Sequence, residues 1–522
     1  MDAAVLLDKY LANGVNFLKG IRDPISLVLC DERRNLLVGG RDVLGRCGLA
    51  WCRNRDEFWF STSLTDLLRV IQKGISWDRV YLADWFLGLA SQLQERTAFE
   101  QIRRCPPGRL TIVDGMSLRE HCFDSIRDYR ESEKQQESVE KFKDAIEIAM
   151  SNFDSRAVLL LSGGLDSTIL ASAWMQDAPS FSALTYRLPN ELFAKEDLRR
   201  LHRLQRSGRV DWNVFQIPSR MLEADWMEDW ARKCVQMLDD PPVGSPVLLS
   251  ARWAICREAS ARGFKTVING EGGDELFELP SFPTDMWMER AWIRAIHMFL
   301  RDDRYRSWPS YERILAQALP SFMARGRQAG GLQRVLPVAA SNIFLDSDAA
   351  SIALEAFRHR LHLPRFHERM MNILMSSASE NARSGAEYIG EWAGVEVESP
   401  LLAPRIVEIA TSLRAIERMH PSVSKPFLIS ALNSWGDRDV SGRAAVDTTY
   451  LKVLHAVAGS LRNVIGKHVQ RVGLLSSWVD GWKIDQRIGA TEATTNKDSE
   501  FILRLYFGAL WMTAIEAEFN VD

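Results

Sequence analysis

At 522 residues the chain exceeds one ordinary domain and suits two to four, with length enough to bury large cores. Hydrophobic residues make up 46% and charged residues 25%, a globular balance; the net charge of -3 supplies no field to recruit nucleic acid or an anionic membrane, so any acidic ligand must be held locally. Seven cysteines are scattered without CxxC spacing, and with nine histidines they argue against both a disulfide framework and a zinc site. Reduced, mostly buried thiols are the expectation. The opening MDAAVLLDKYLANG has neither the basic region nor the apolar stretch of a signal peptide. The longest apolar run is cut by Gly163, Gly164 and Asp166, so no membrane span is expected and the protein is placed in the cytoplasm.

In chain order, PISLVLC, NLLVGG, GLAWC and EFWFST read as short strands within 24–62, separated by the polar turns DERR and RNRDE. CPPGRLTIVDG at 105–115 adds a strand between Pro and Gly turns. The polar stretch ESEKQQESVEKFKD then marks a boundary near 130–140, giving domains 1–135 and 136–522. Beyond it helices and apolar strands alternate: KFKDAIEIAMSNF (helix), AVLLL (strand), DSTILASAWMQ (helix), FSALTY (strand), EDLRRLHRLQRSG (helix), NVFQIP (strand), ARWAICREASARG (helix) and KTVIN (strand). That alternation predicts a parallel sheet covered on both faces over about 136–280. From about 281 to the end the spacing is helical, with almost no strand signal.

The stretch VLLLSGGLDSTIL at 158–170 takes an apolar strand through Ser-Gly-Gly into a helix carrying Asp166. In a parallel sheet such a loop lies beyond the carboxyl end of its strand, where ligands bind. Small residues at Ser162, Gly163 and Gly164 let backbone amides approach a ligand, and the helix N-terminus favours an anion by about 0.3–1 kcal/mol. A phosphate-bearing ligand suits the place; so does a plain tight turn with Asp166 as a helix cap.

The loop lacks the GxxxxGK[ST] spacing. It resembles instead the SGGxDS signature of the PP-loop ATP pyrophosphatases, matched by Ser162, Gly163, Gly164, Asp166 and Ser167. About 110 residues on, GEGGDELF at Gly270–Phe277 resembles the GEGxDE motif of the asparagine synthetase superfamily, again at a strand's end. ESPLLAPRIVEIATSL (398–413) and SKPFLISAL (424–432) are similar to that superfamily's later segments, and GRDVLGRCGLAW with EFWFSTSLTDLL to elements of its glutaminase domain. The resemblance implies an α/β protein: a degenerate, β-rich glutaminase-like (Ntn-type) sandwich, then a PP-loop parallel-sheet synthetase domain with a helical C-terminal region over about 281–522. It implies ATP and Mg2+ as cofactors, with Asp166 and Asp274 as metal ligands. Leu161, Ser162, Gly163, Gly164, Asp166, Ser167, Leu184 (or Thr185), Asn269 and Gly270 would bind ATP. Glu271 stands where synthetases keep a catalytic Glu or Tyr, Lys425 is a candidate to stabilise the adenylate, and Glu275 is expected to be structural. Asp239 and Asp240, in DDPPVGSPVLL, are either substrate contacts or surface acids at a turn.

Two departures stand out. The superfamily's basic W-R-x-K stretch has as its nearest counterpart SGRAAVD, where Arg443 is followed by alanines, so Arg443 or Lys452 would supply the cation. The chain begins Met-Asp, and its start aligns inside the glutaminase domain, so the nucleophilic cysteine is expected to be missing. An amine carried by the substrate is then required, as in β-lactam, carbapenam and lasso-peptide macrolactam synthetases. Glu rather than Tyr at 271, the short N-terminal domain and 17 tryptophans lean toward the last. That resemblance implies a lasso cyclase acting on a precursor (core) peptide, with the pathway's leader peptidase and leader-binding protein as partners. The alternatives are an asparagine synthetase or β-lactam/carbapenam-type synthetase acting on a small molecule, and a non-catalytic nucleotide-binding scaffold.

Overall fold

The computed structural model describes residues 2–87, 95–124, 135–277, 286, 289–301, 370–436, 448–479 and 496–521, apart from positions 116, 192, 243–245, 372–373, 376 and 421–422. A helix, Ala3–Asn13, comes first, capped by Asp2 Oδ1 accepting from the Ala4 amide at 3.1 Å. Strands β1 (Ser26–Asp31), β2 (Leu36–Arg41), β6 (Arg109–Asp114) and β7 (Ser117–Cys122) form an antiparallel sheet in the order β1-β2-β6-β7. Strands β3 (Ala50–Asn54), β4 (Glu57–Ser61) and β5 (Ile102–Arg104) form a second, in the order β4-β3-β5. The expected hairpins are present; the leading helix, β5 and β7 were not anticipated. SLREHC in β7 is a mostly exposed, polar edge strand with no apolar alternation to betray it.

The second half holds a five-stranded parallel sheet of β8 (Ala157–Leu160), β9 (Phe181–Arg187), β10 (Val210–Gln216), β11 (Thr266–Ile268) and β12 (Glu396–Glu398), in the order β10-β9-β8-β11-β12. The chain runs outward from β8 through β9 to β10, then returns to the other side of β8 as β11. The strand order therefore reverses between β8 and β11, and the crevice outside their carboxyl ends is the ligand position of such sheets. Strand β12 lies within the region read as helical with almost no strand signal; three residues are too short to show a period.

The helix Leu165–Asp177 is buried almost all round, from Ser167 through Trp174, so it has no polar stripe and its N-terminus is fixed. The C-terminal helix Asn496–Glu518 crosses the seam and packs Trp511 against Trp77 and Phe99, joining both halves in one core. Trp478 and Trp511 are fully buried, and Trp77 and Trp85 nearly so, which puts these four tryptophans in the core. Among the described residues, no helix is long and apolar enough to cross a membrane. The seven cysteines are free thiols; Cys52, Cys105, Cys234 and Cys256 are buried, and burial raises Cys234 to about 12.

Asp239 and Asp240, half-buried, hold the two halves together. Asp239 accepts from the Leu64 and Thr65 amides at 3.1 and 3.3 Å, Thr65 Oγ1 at 2.6 Å, Ser63 Oγ at 3.2 Å and Tyr388 Oη at 3.2 Å. It thereby caps the helix Leu64–Ile71 from across the seam. Asp240 pairs with Arg104, and Arg22 bridges Asp124 at 3.1 Å and Glu408 at 2.8 Å. Asp239, Asp240, Arg104 and Tyr388 line a cavity of about 30 Å3.

Candidate active site

The loop after β8 is held from behind. Gly163 sits at φ +86°, where a Cβ would lie 2.7 Å from the Asp197 carbonyl oxygen. Its own carbonyl accepts from Arg200 Nε at 2.6 Å, and Arg200 pairs with Asp197 at 2.6 Å. Buried Arg200, on helix Lys195–Arg206, thus braces the turn, a role no short motif marked. Within the loop, Ser162 Oγ accepts from the Gly164 amide at 3.2 Å and lies 3.2 Å from Ser167 Oγ, which donates to the Gly164 carbonyl at 3.2 Å. Gly164 begins the helix Leu165–Asp177 with no side-chain cap, so Asp166 is in the first turn rather than at the capping position, and the capping reading falls.

The second motif is pressed against the first. A Cβ on Gly273 would collide with the Asp166 carboxylate, and one on Gly272, at φ +92°, would lie 2.6 Å from the Leu402 side chain. Asn269 Oδ1 accepts from the Glu271 amide at 2.9 Å and from Ser399 Oγ at 2.8 Å, so its side chain braces the loop. Thr185 donates to the Leu161 carbonyl and accepts from Trp212 Nε1 at 2.8 Å, fixing the floor at β9.

These groups face a cavity of about 370 Å3 outside the ends of β8, β9 and β11. Leu161, Ser162, Gly164, Asp166, Ser167, Leu184, Thr185, Asn269, Gly270, Glu271, Asp274 and Glu275 line it, as do Tyr186, Arg187, Glu191 and Arg252. Its volume falls in the range of small-molecule sites, about 300–1,000 Å3.

Lys425 is the residue that joins the motifs. Its Nζ donates to Asp166 Oδ2 at 2.6 Å and to Asp274 Oδ1. It is buried, in the left-handed conformation at φ +48°, directly before Pro426. Proline disfavours the right-handed helical region for its predecessor, and Lys425 takes the left-handed alternative. Burial opposes its charge, but the Asp166 and Asp274 carboxylates outweigh that and raise its pKa. Burial, reinforced by Asp274 and Glu271, raises the pKa of Glu275, a cavity acid that the motif alone marked as structural.

Among the described residues, no three His, Cys, Asp or Glu side chains converge as a metal cage. Asp166 and Asp274, from separate motifs, nonetheless meet on one cationic atom. That oxygen donor set fits a magnesium ion bound through one or two carboxylates plus phosphates. Arg443 lies outside the described residues, while Lys452 is exposed on the helix Thr448–Ser460.

Two sequence families match the chain. The sequence profile of the family described as asparagine synthase matches residues 138–513, and that of the glutamine amidotransferase domain matches residues 1–123. A curated relative, "Amidase chry2" of Gibberella zeae, is 24% identical over 383 residues, covering 67% of this chain and 52% of its own length. The chain thus spans about half the length of that relative. A solved structure of the NH3-dependent NAD synthetase from Campylobacter jejuni, in complex with the nitrate ion, is 16% identical and covers 44% of this chain and 95% of that one. Its TM-score of 0.20 is too low to define a shared architecture.

Proposed function

This chain belongs to the asparagine synthase family of ATP-dependent amide-forming ligases, and we propose that it adenylates a carboxylate and transfers the acyl group to an amine. The observation that carries the reading is the junction of the two motifs at the reversal of strand order, with Asp166 and Asp274 on one ammonium. In the first step a carboxylate oxygen of the substrate attacks the α-phosphorus of ATP, and the bond to pyrophosphate breaks. The helix N-terminus at Gly164 and the loop amides hold phosphate oxygens in line. Asp166 and Asp274 would hold magnesium, which when bound offsets charge on the departing pyrophosphate. Lys425, between those carboxylates, supplies a fixed positive charge for the phosphates. In the second step an amine nitrogen attacks the acyl carbon, the bond to AMP breaks, and Glu271 accepts the amine proton.

The finer reading is a macrolactam synthetase of lasso-peptide type, which adenylates an Asp or Glu side chain of a precursor peptide and closes it on the peptide's α-amine. It is favoured by the packed seam. A cavity at the seam is walled by the Arg104–Asp240 ion pair and by Asp239, which suits an amine already carried by the substrate. Pyrophosphate release with a peptide bearing one free carboxylate, with aspartate plus ammonia, and with a carboxyethyl-amino acid tests this. Release with the peptide alone, with loss of water from its mass, is the expected outcome; release with aspartate alone would sink the peptide reading.

A further inference from the structure

Glu271 is held at two points. Its amide is tied through Asn269 to Ser399, and its carboxylate is tied to the guanidinium of Arg252, which reaches the cavity from the middle of the helix Pro246–Ala261. We infer that Arg252 is a positioning residue: it clamps the Glu271 carboxylate so that the acid faces the acyl carbon when the amine attacks. The inference rests on the ligase reading above.

A glutamate has three rotatable bonds, and fixing them has an entropic cost that a single backbone tether does not offset. A guanidinium is planar and always charged, and its donors match a carboxylate, so it fixes the direction in which the carboxylate points. The pair sits at the cavity wall, each side chain about a quarter exposed, so Glu271 remains open to a substrate proton. In the step it serves, the C–N bond forms, the C–O bond to AMP breaks, and the amine proton passes to Glu271. A displaced base slows that step and leaves adenylation, which needs no base, intact.

The test uses the full chain with Arg252→Met and Arg252→Lys. A peptide with one free carboxylate and a free α-amine reports amide closure. Its N-acetylated copy with hydroxylamine, a nucleophile uncharged at neutral pH, reports adenylation as hydroxamate. Arg252→Met is expected to keep hydroxamate formation within about threefold and lose about 10–100-fold in amide closure, with Arg252→Lys recovering part. Parallel loss of both products, or loss of neither, overturns the inference. A cycle of Tm values for Arg252→Met, Glu271→Gln and the double variant probes the clamp without any substrate. Non-additive losses support the clamp and additive ones overturn it. Wild-type chain that forms neither hydroxamate nor amide, yet shows non-additive coupling, overturns the ligase reading alone.

Discussion

Replacing Lys425 by Met keeps the length of the side chain and removes the ammonium that joins the two motifs. Lys425 is 6% exposed, Asp166 22% and Asp274 78%. A hydrogen bond to a charged group contributes about 1.5–3 kcal/mol when shielded. The Asp274 bond is heavily discounted because that carboxylate is mostly in water. The Asp166 bond counts nearly in full, and its loss leaves two carboxylates facing each other without a cation. A loss of about 2–3 kcal/mol follows, read as a fall in Tm of several degrees. Because the fold raises the lysine pKa, this stabilisation is complete below the unfolded lysine value of about 10.4 and fades as pH climbs through the folded value. The wild-type advantage should therefore be flat between pH 6 and 9 and shrink only above about 10.4 in urea titrations. Pyrophosphate release should fall by on the order of 10² or more, since the phosphates lose a preorganised charge. Equal stability at pH 7, or wild-type pyrophosphate release, would refute the placement of Lys425 at the junction.

Gly273→Ala forces a methyl into the Asp166 carboxylate; calorimetric titration should show weakened ATP binding, and pyrophosphate release should fall about 10²-fold. Arg200→Met strips the donor from the Gly163 carbonyl and from Asp197, so the KM for ATP should rise more than kcat falls, with a loss of about 1–3 kcal/mol in urea denaturation. Asp239→Ala removes the acceptor of the Leu64 and Thr65 amides, which supplements the Ser63 cap of Leu64–Ile71, and its bond to Tyr388. Differential scanning calorimetry should then show the N-terminal half melting earlier, by at least the roughly 1–2 kcal/mol a helix cap contributes.

What the sequence revealed of the site and what it hid divide along chain separation. Strands β8 and β11 are legible because buried parallel strands read as short apolar runs, and each ends in glycines where the backbone must turn. The motifs at 162–167 and 270–275 follow directly from those ends. Arg252 was hidden, being one arginine on a helix with ordinary apolar spacing. Asp239 was hidden because its partners at 63–65 lie some 175 residues earlier. The Lys425 junction spans 259 residues to Asp166 and 151 to Asp274, and no local pattern encodes it. The segment SKPFLISAL marked Lys425 as a candidate, but nothing in it named the two carboxylates the lysine would join. The two acidic motifs alone would bring like charges to one crevice. The buried cation between them lets the crevice hold both acids.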